Sequence, residues 1–130
     1  DAMDFPKDLR YTKDHEWAKV DGDIATVGIT DFAQEQLGEI TFVELPAADM
    51  KLKVHQELGV VESSKAASDV YSPVEGAVIE ANTELESTPE VINEDCYKAG
   101  WICKIQISDK AGLDNLMDAK KYKEYLEGMS

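Results

Sequence analysis

Lys65 stands in the run Glu62-Ser63-Ser64-Lys65-Ala66-Ala67-Ser68-Asp69, where every neighbour from 63 to 68 is small. A primary amine with nothing bulky beside it is a substrate for acylation. That reaction removes the positive charge and lengthens the side chain into a flexible arm. A lysine in a polar turn is by itself ordinary solvated surface. The flanks make this one different. Leu58 to Val61 and Val70-Tyr71 are apolar and rich in β-branched residues, so they read as two antiparallel strands with Lys65 at the tip of their hairpin. A modifying enzyme reaches such a tip without disturbing the core.

Other reactive residues lack the partners their chemistry needs. His15-Glu16 begins an H-E-x-x-H zinc motif, but position 19 is Lys, so the second imidazole is missing. His55 has no second ligand at metal spacing and reads as surface. Cys96 and Cys103 are not in C-x-x-C spacing. They read as reduced thiols, at least one packed as a small hydrophobe, in a compartment that keeps thiols reduced. No Gly-rich loop cradles a phosphate, and no Ser, His and Asp set has motif support. The run Lys120-Lys121-Tyr122-Lys123 is the polar face of a helix. A biotin carrier would share the hairpin logic, but its lysine sits between methionines, and here Ser64 and Ala66 flank it.

The elements that must hold the hairpin follow from periodicity and punctuation. Val20 to Ile29 reads as strand, Asp-Gly turn and strand. Thr30-Asp31 caps a short helix that ends at Gly38, and Ile40 to Leu45 is a strand stopped by Pro46. Val74-Glu75-Gly76 reads as a turn before Ala77-Val78-Ile79. The polar segment from Asn82 to Asn93 reads as a long loop. Trp101 to Ile107 alternates, with Trp101, Cys103, Ile105 and Ile107 on one face. Leu113, Leu116, Met117, Tyr122, Tyr125, Leu126 and Met129 recur at three and four, predicting one apolar helical stripe. The sum is a small β sandwich or barrel with a helical C-terminal appendage over about 109–130. Similar strand pairs on either side of Lys65 give a faint internal doubling, which would set the hairpin at one end.

Composition bounds the partners. The chain has 130 residues, the size of a single domain (1–130), and 43% of them are hydrophobic. Thirteen Lys and Arg against 27 Asp and Glu leave a formal net charge of −14. Such a surface repels nucleic acid and anionic lipid, whereas basic protein surfaces are drawn to it. No apolar run is long enough to span a bilayer. The start, Asp1 to Pro6, lacks the basic and apolar regions of an export signal. Residues 1–8 are expected to form an N-terminal extension, with Asp1-Ala2 a tag remnant or the stub of a cleaved presequence.

An ordered set of motifs resembles one family, the H protein of the glycine cleavage system. They are His15-Glu16-Trp17; Thr26-Val27-Gly28-Ile29-Thr30 with Ala33-Gln34; Leu37-Gly38-Glu39-Ile40; Phe42-Val43-Glu44-Leu45-Pro46; Val61-Glu62-Ser63 with Lys65-Ala66 and Ser68-Asp69; Ser72-Pro73 with Gly76; and Gly100-Trp101. The resemblance runs from Tyr11 to about Leu126. It implies a mostly β, lipoyl-domain-like barrel-sandwich hybrid of two small antiparallel sheets, with short helices and a C-terminal helical segment. It also implies lipoate in amide linkage on Lys65, no metal, and no catalysis by the carrier itself. The implied partners are glycine decarboxylase, the tetrahydrofolate-dependent aminomethyltransferase, dihydrolipoamide dehydrogenase and a lipoyl- or octanoyl-transfer enzyme. A monomer is expected, in the cytoplasm, or in the mitochondrial matrix of a eukaryote. In this family the loaded arm folds back against the protein, and the matching cleft positions are Glu16, Asp69 and Asp14. Two positions depart from the pattern: Asp14 stands where some relatives have Ser, and Ser64 where many have Val. An H-like protein that mainly relays lipoyl groups to other acceptors needs the same lysine and is the alternative reading.

Overall fold

The structure, a computed structural model, describes residues 3–129. Asp1-Ala2, read from the sequence as a remnant, lie outside the described residues. Among the described residues, nine strands form two antiparallel sheets: β1 (Arg10–Tyr11), β2 (Glu16–Asp21), β3 (Ile24–Ile29), β4 (Ile40–Glu44), β5 (Lys51–Leu52), β6 (Glu57–Ser63), β7 (Ala67–Tyr71), β8 (Glu75–Ala81) and β9 (Cys103–Asp109). The larger sheet runs β1-β2-β3-β9-β8-β5, and the smaller runs β4-β6-β7. Neither sheet closes into a barrel. The mostly β architecture with two antiparallel sheets is the one expected.

Alternation builds the space between the sheets. Val43 pairs with Val61 across β4 and β6, and both are buried while Phe42 and Glu44 on either side are exposed. Along β9, Cys103, Ile105 and Ile107 are buried and Gln106 is exposed. These residues join Ala25, Val27, Val70 and Val78 in one cluster. Each buried aliphatic side chain adds roughly 1.5–3 kcal/mol, enough in sum to fix the smaller sheet on the larger.

The short helix α1 (Asp31–Leu37) forms where its cap predicts: Thr30 Oγ1 accepts from Ala33 N at 3.2 Å, and Gly38 ends the helix at φ 80°. Two further short helices are α2 (Val91–Glu94) and α3 (Ala119–Glu127). The segment from Asn82 to Asn93, expected as a loop, therefore holds a 3-10 turn (Thr83–Glu86) and the start of α2. One side chain from each, Leu85 and Ile92, is fully buried. A single turn shows no periodicity, so the sequence carries no sign of it.

Two other expectations are corrected. Gly76 lies within β8, not in a turn; the bend comes earlier, at Pro73-Val74. A Cβ on Gly76 would fall 2.0 Å from Gln106 O, so glycine is there to let two strands approach. The C-terminal stripe is not one helix. Strand β9 continues to Asp109, a 3-10 turn covers Ala111–Asn115, and Met117 bridges to Tyr11 as extended chain before Asp118 caps α3. Leu113 joins the main core, whereas Tyr122 joins Leu9, Tyr11 and Trp17 in a second cluster. The 1–8 stretch is also tied down from Asp4 onward. Asp4 N donates to Asp31 Oδ2, Tyr97 Oη donates to Asp4 O, and Phe5 packs edge-on against Tyr122.

Candidate functional site

The β6–β7 hairpin carries Lys65 at its tip, as its flanks predict. Ser63 organises the turn. Its hydroxyl accepts from Lys65 N at 3.3 Å and Ala66 N at 3.2 Å, and Ser63 N donates to Ala66 O at 2.8 Å. Ser64 to Asp69 are all exposed. Among the described residues no carboxylate lies within ion-pair distance of the Lys65 amine. The side chain lies over Gly38: a Cβ built there would be 3.5 Å from Lys65 Cε and 4.0 Å from Nζ.

The three acids named from the sequence collect around the base of this hairpin, at Tyr71. Glu16, on β2, is 1% exposed. Its Oε2 accepts from Tyr71 N at 3.1 Å, and its Oε1 accepts from Thr12 Oγ1 at 2.5 Å. One carboxyl therefore ties the larger sheet to the outer strand of the smaller one. Burial pushes Glu16 up from its ordinary 4.5 to about 7, against the opposing pull of those two hydrogen bonds. Asp69, on β7, is exposed and its Oδ2 accepts from Tyr71 Oη at 3.5 Å. Asp69 foremost, and more weakly Asp14, raise the Tyr71 phenol, which places Asp14 in the same field. Asp14 is exposed and 3.7 Å from His55 Nδ1.

Thr12 and Tyr71, which organise these acids, gave no signal in the sequence, because each acts only across elements far apart in the chain. Gly38 was legible as a helix end but not as the floor beneath Lys65. His15 Nδ1 is 2.9 Å from Tyr122 Oη, and no group of three or more His, Cys, Asp or Glu among the described residues is placed to hold a metal. Burial lowers the His15 imidazole below its usual value. Cys96 and Cys103 are free and buried, and burial pushes both thiols up to about 12. They are inert packing residues. No helix among the described residues is long and apolar enough to cross a membrane.

With this geometry in place, comparison with known proteins gives one consistent result. The profile of the glycine cleavage H-protein family matches residues 9–129. The glycine cleavage system H protein of Symbiobacterium thermophilum is 56% identical over 117 residues, covering 90% of this chain and 91% of the relative. That of Staphylococcus carnosus is 46% identical, covering 95% of this chain and 98% of the relative. The crystal structure of a glycine cleavage system H protein from Mycobacterium marinum superposes with a TM-score of 0.85 at 36% identity, covering 92% of this chain and 97% of that one. An exposed lysine at the tip of a hairpin in a fold of two sheets, and a sequence match over nearly the whole chain, lead to one conclusion: the chain belongs to the glycine cleavage H-protein family.

Proposed function

We propose that this protein is the lipoyl-bearing carrier of the glycine cleavage system, with lipoate in amide linkage to Lys65 Nζ. One observation carries the reading. Lys65 is the exposed tip residue of a hairpin in a chain that matches this family from residue 9 to residue 129. The residues present suit the group. The amine is solvated, its neighbours are small, and acylation breaks no ion pair among the described residues. Lipoate supplies the chemistry when bound, a disulfide that opens to carry an aminomethyl group and closes again on oxidation.

The chain's own residues do two things. Ser63 fixes the turn so that the arm always leaves from the same point. Glu16, Asp69 and Asp14 form an acidic base to the hairpin, suited to an arm that folds back carrying a cationic amine. Among the described residues none of these carboxylates lies within ion-pair distance of the Lys65 amine, so it is the lengthened arm and not the bare lysine that meets these acids. Ionised Glu16 would find in that amine the counter-charge that it lacks among its present partners. The carrier adds no acid, base or nucleophile of its own to the reaction. Glycine decarboxylase, the aminomethyltransferase and dihydrolipoamide dehydrogenase do the chemistry in turn, after a lipoyl- or octanoyl-transfer enzyme has loaded Lys65. The net charge of −14 suits docking to basic faces on those enzymes.

The test is the intact mass of protein purified from its native host, with peptide mapping. A lipoyl increment located on Lys65 is expected. An unmodified Lys65 in material that supports glycine cleavage would overturn the proposal.

A further inference from the structure

The side chain on which the proposed function rests lies over the turn at Gly38, and that turn has its own support. Gly38 adopts φ 80°, ψ −155°, a backbone that side chains disfavour, and any Cβ there would meet Lys65 Cε at 3.5 Å. Between the end of α1 and the start of β4 the chain leaves two backbone groups pointing toward α2. Asn93 takes both. Its Oδ1 accepts from Ile40 N at 2.9 Å, and its Nδ2 donates to Gly38 O at 2.9 Å. The second Nδ2 hydrogen goes to Gln34 Oε1 at 2.8 Å, and Gln34 Nε2 in turn donates to Asp31 Oδ1 at 2.8 Å. The amide thus behaves like a neighbouring strand, offering an acceptor and donors in one plane. Its own position is secure, because Ile92, the preceding residue, is fully buried.

We propose that Asn93 is a positioning residue for Lys65: by clamping Gly38 and Ile40 it holds a flat backbone floor against which the lysine side chain lies. The groove beside that floor is lined by Glu35, Glu39, Glu90 and Glu94, a field that draws the ammonium to the same side. The modifying enzyme then meets a lysine with a preferred direction, which lowers the ordering needed on docking. Neither Asp nor Ala reproduces both contacts. Asp would set a carboxylate against the Gly38 carbonyl, and Ala would leave both backbone groups without partners.

The inference rests on Lys65 being the modified residue, and the test separates the two. Asn93→Ala and Asn93→Asp are made in the full chain, which is labelled with 13C-lysine and left unmodified. The Lys65 Cε resonance is recorded well below each melting temperature. The same proteins are then offered to a purified lipoate–protein ligase with lipoate and ATP. The clamp predicts a displaced Lys65 Cε resonance in both variants. It also predicts a ligase KM for the carrier raised roughly three- to tenfold, the range that one lost hydrogen bond produces, with kcat retained. Asn93→Asp keeps the acceptor for Ile40 N and carries the test should Asn93→Ala fail to fold. Lower melting temperatures with a wild-type resonance and a wild-type KM would mean that Asn93 only stabilises the fold, and the proposal fails. A wild-type protein that takes no lipoyl group on Lys65 refutes the carrier reading instead, while the resonance still decides whether Asn93 positions the side chain.

Discussion

Glu16→Gln tests whether the buried carboxyl at the hairpin base is held neutral by its surroundings. A carboxyl whose pKa rises on folding, here from 4.5 to about 7, is one whose neutral form the native state prefers. Between those values the folded protein holds a proton that the unfolded chain has released. The contribution of Glu16 to stability is therefore greatest below pH 4.5, declines as pH rises through the window, and is nearly lost above pH 7. A shift of about 2.5 pH units at 1.36 kcal/mol each gives a decline of about 3 kcal/mol, most of it between pH 5 and pH 8.

Glutamine copies the neutral acid. Its Oε1 can accept from Tyr71 N and its Nε2 can donate to Thr12 Oγ1, the two partners Glu16 has now. Urea denaturation of both proteins at pH 5, 6, 7 and 8 should show the variant gaining on wild type as pH rises, by about 2–3 kcal/mol across the series. Subtracting one protein from the other removes the contribution of His15. Its lowered pKa works in the opposite sense, since it withdraws stability as pH falls through the unfolded value near 6.5. A difference that stays flat with pH would refute the reasoning. Glu16 would then be ionised throughout, with Thr12 and the Tyr71 amide sufficient to solvate the charge.

Two further substitutions test the packing behind the site. Gly28 faces Trp17 across β2 and β3, and a Cβ there would come within 2.7 Å of the indole ring. Gly28→Ala should therefore destabilise by about 1–3 kcal/mol in chemical denaturation, by displacing a ring that is 1% exposed and hydrogen-bonded to Cys96 O. Tyr122→Phe removes the hydroxyl between His15 Nδ1 and Thr30 Oγ1. It should lower stability by about 1–3 kcal/mol and raise amide exchange rates in α1, because Thr30 is that helix's cap.

The sequence alone determined the features whose signals lie among neighbours in the chain. Small residues around Lys65 and apolar runs on both sides are local, so the hairpin and its exposed amine were legible. The ordered motifs from His15 to Trp101 identified the family for the same reason, since they can be compared position by position without a fold. Gly38 as a helix end and Thr30 as a cap were legible too, because one helical turn spans only four residues.

What the sequence left open is what two distant segments decide together. Glu16 was readable as an acid, but only the packing of β2 against β7 buries its carboxyl on Tyr71 N and makes its charge state an open question near neutral pH. The stripe after Leu113 looked continuous because periodicity records which residues are apolar and not which core receives them. Tertiary packing sends Leu113 to one cluster and Tyr122 to another, and the chain must break between them. Asn93 is the clearest case. In the sequence it is one polar residue at the end of a polar stretch, and only in the fold does its amide complete the backbone of a turn more than fifty positions away.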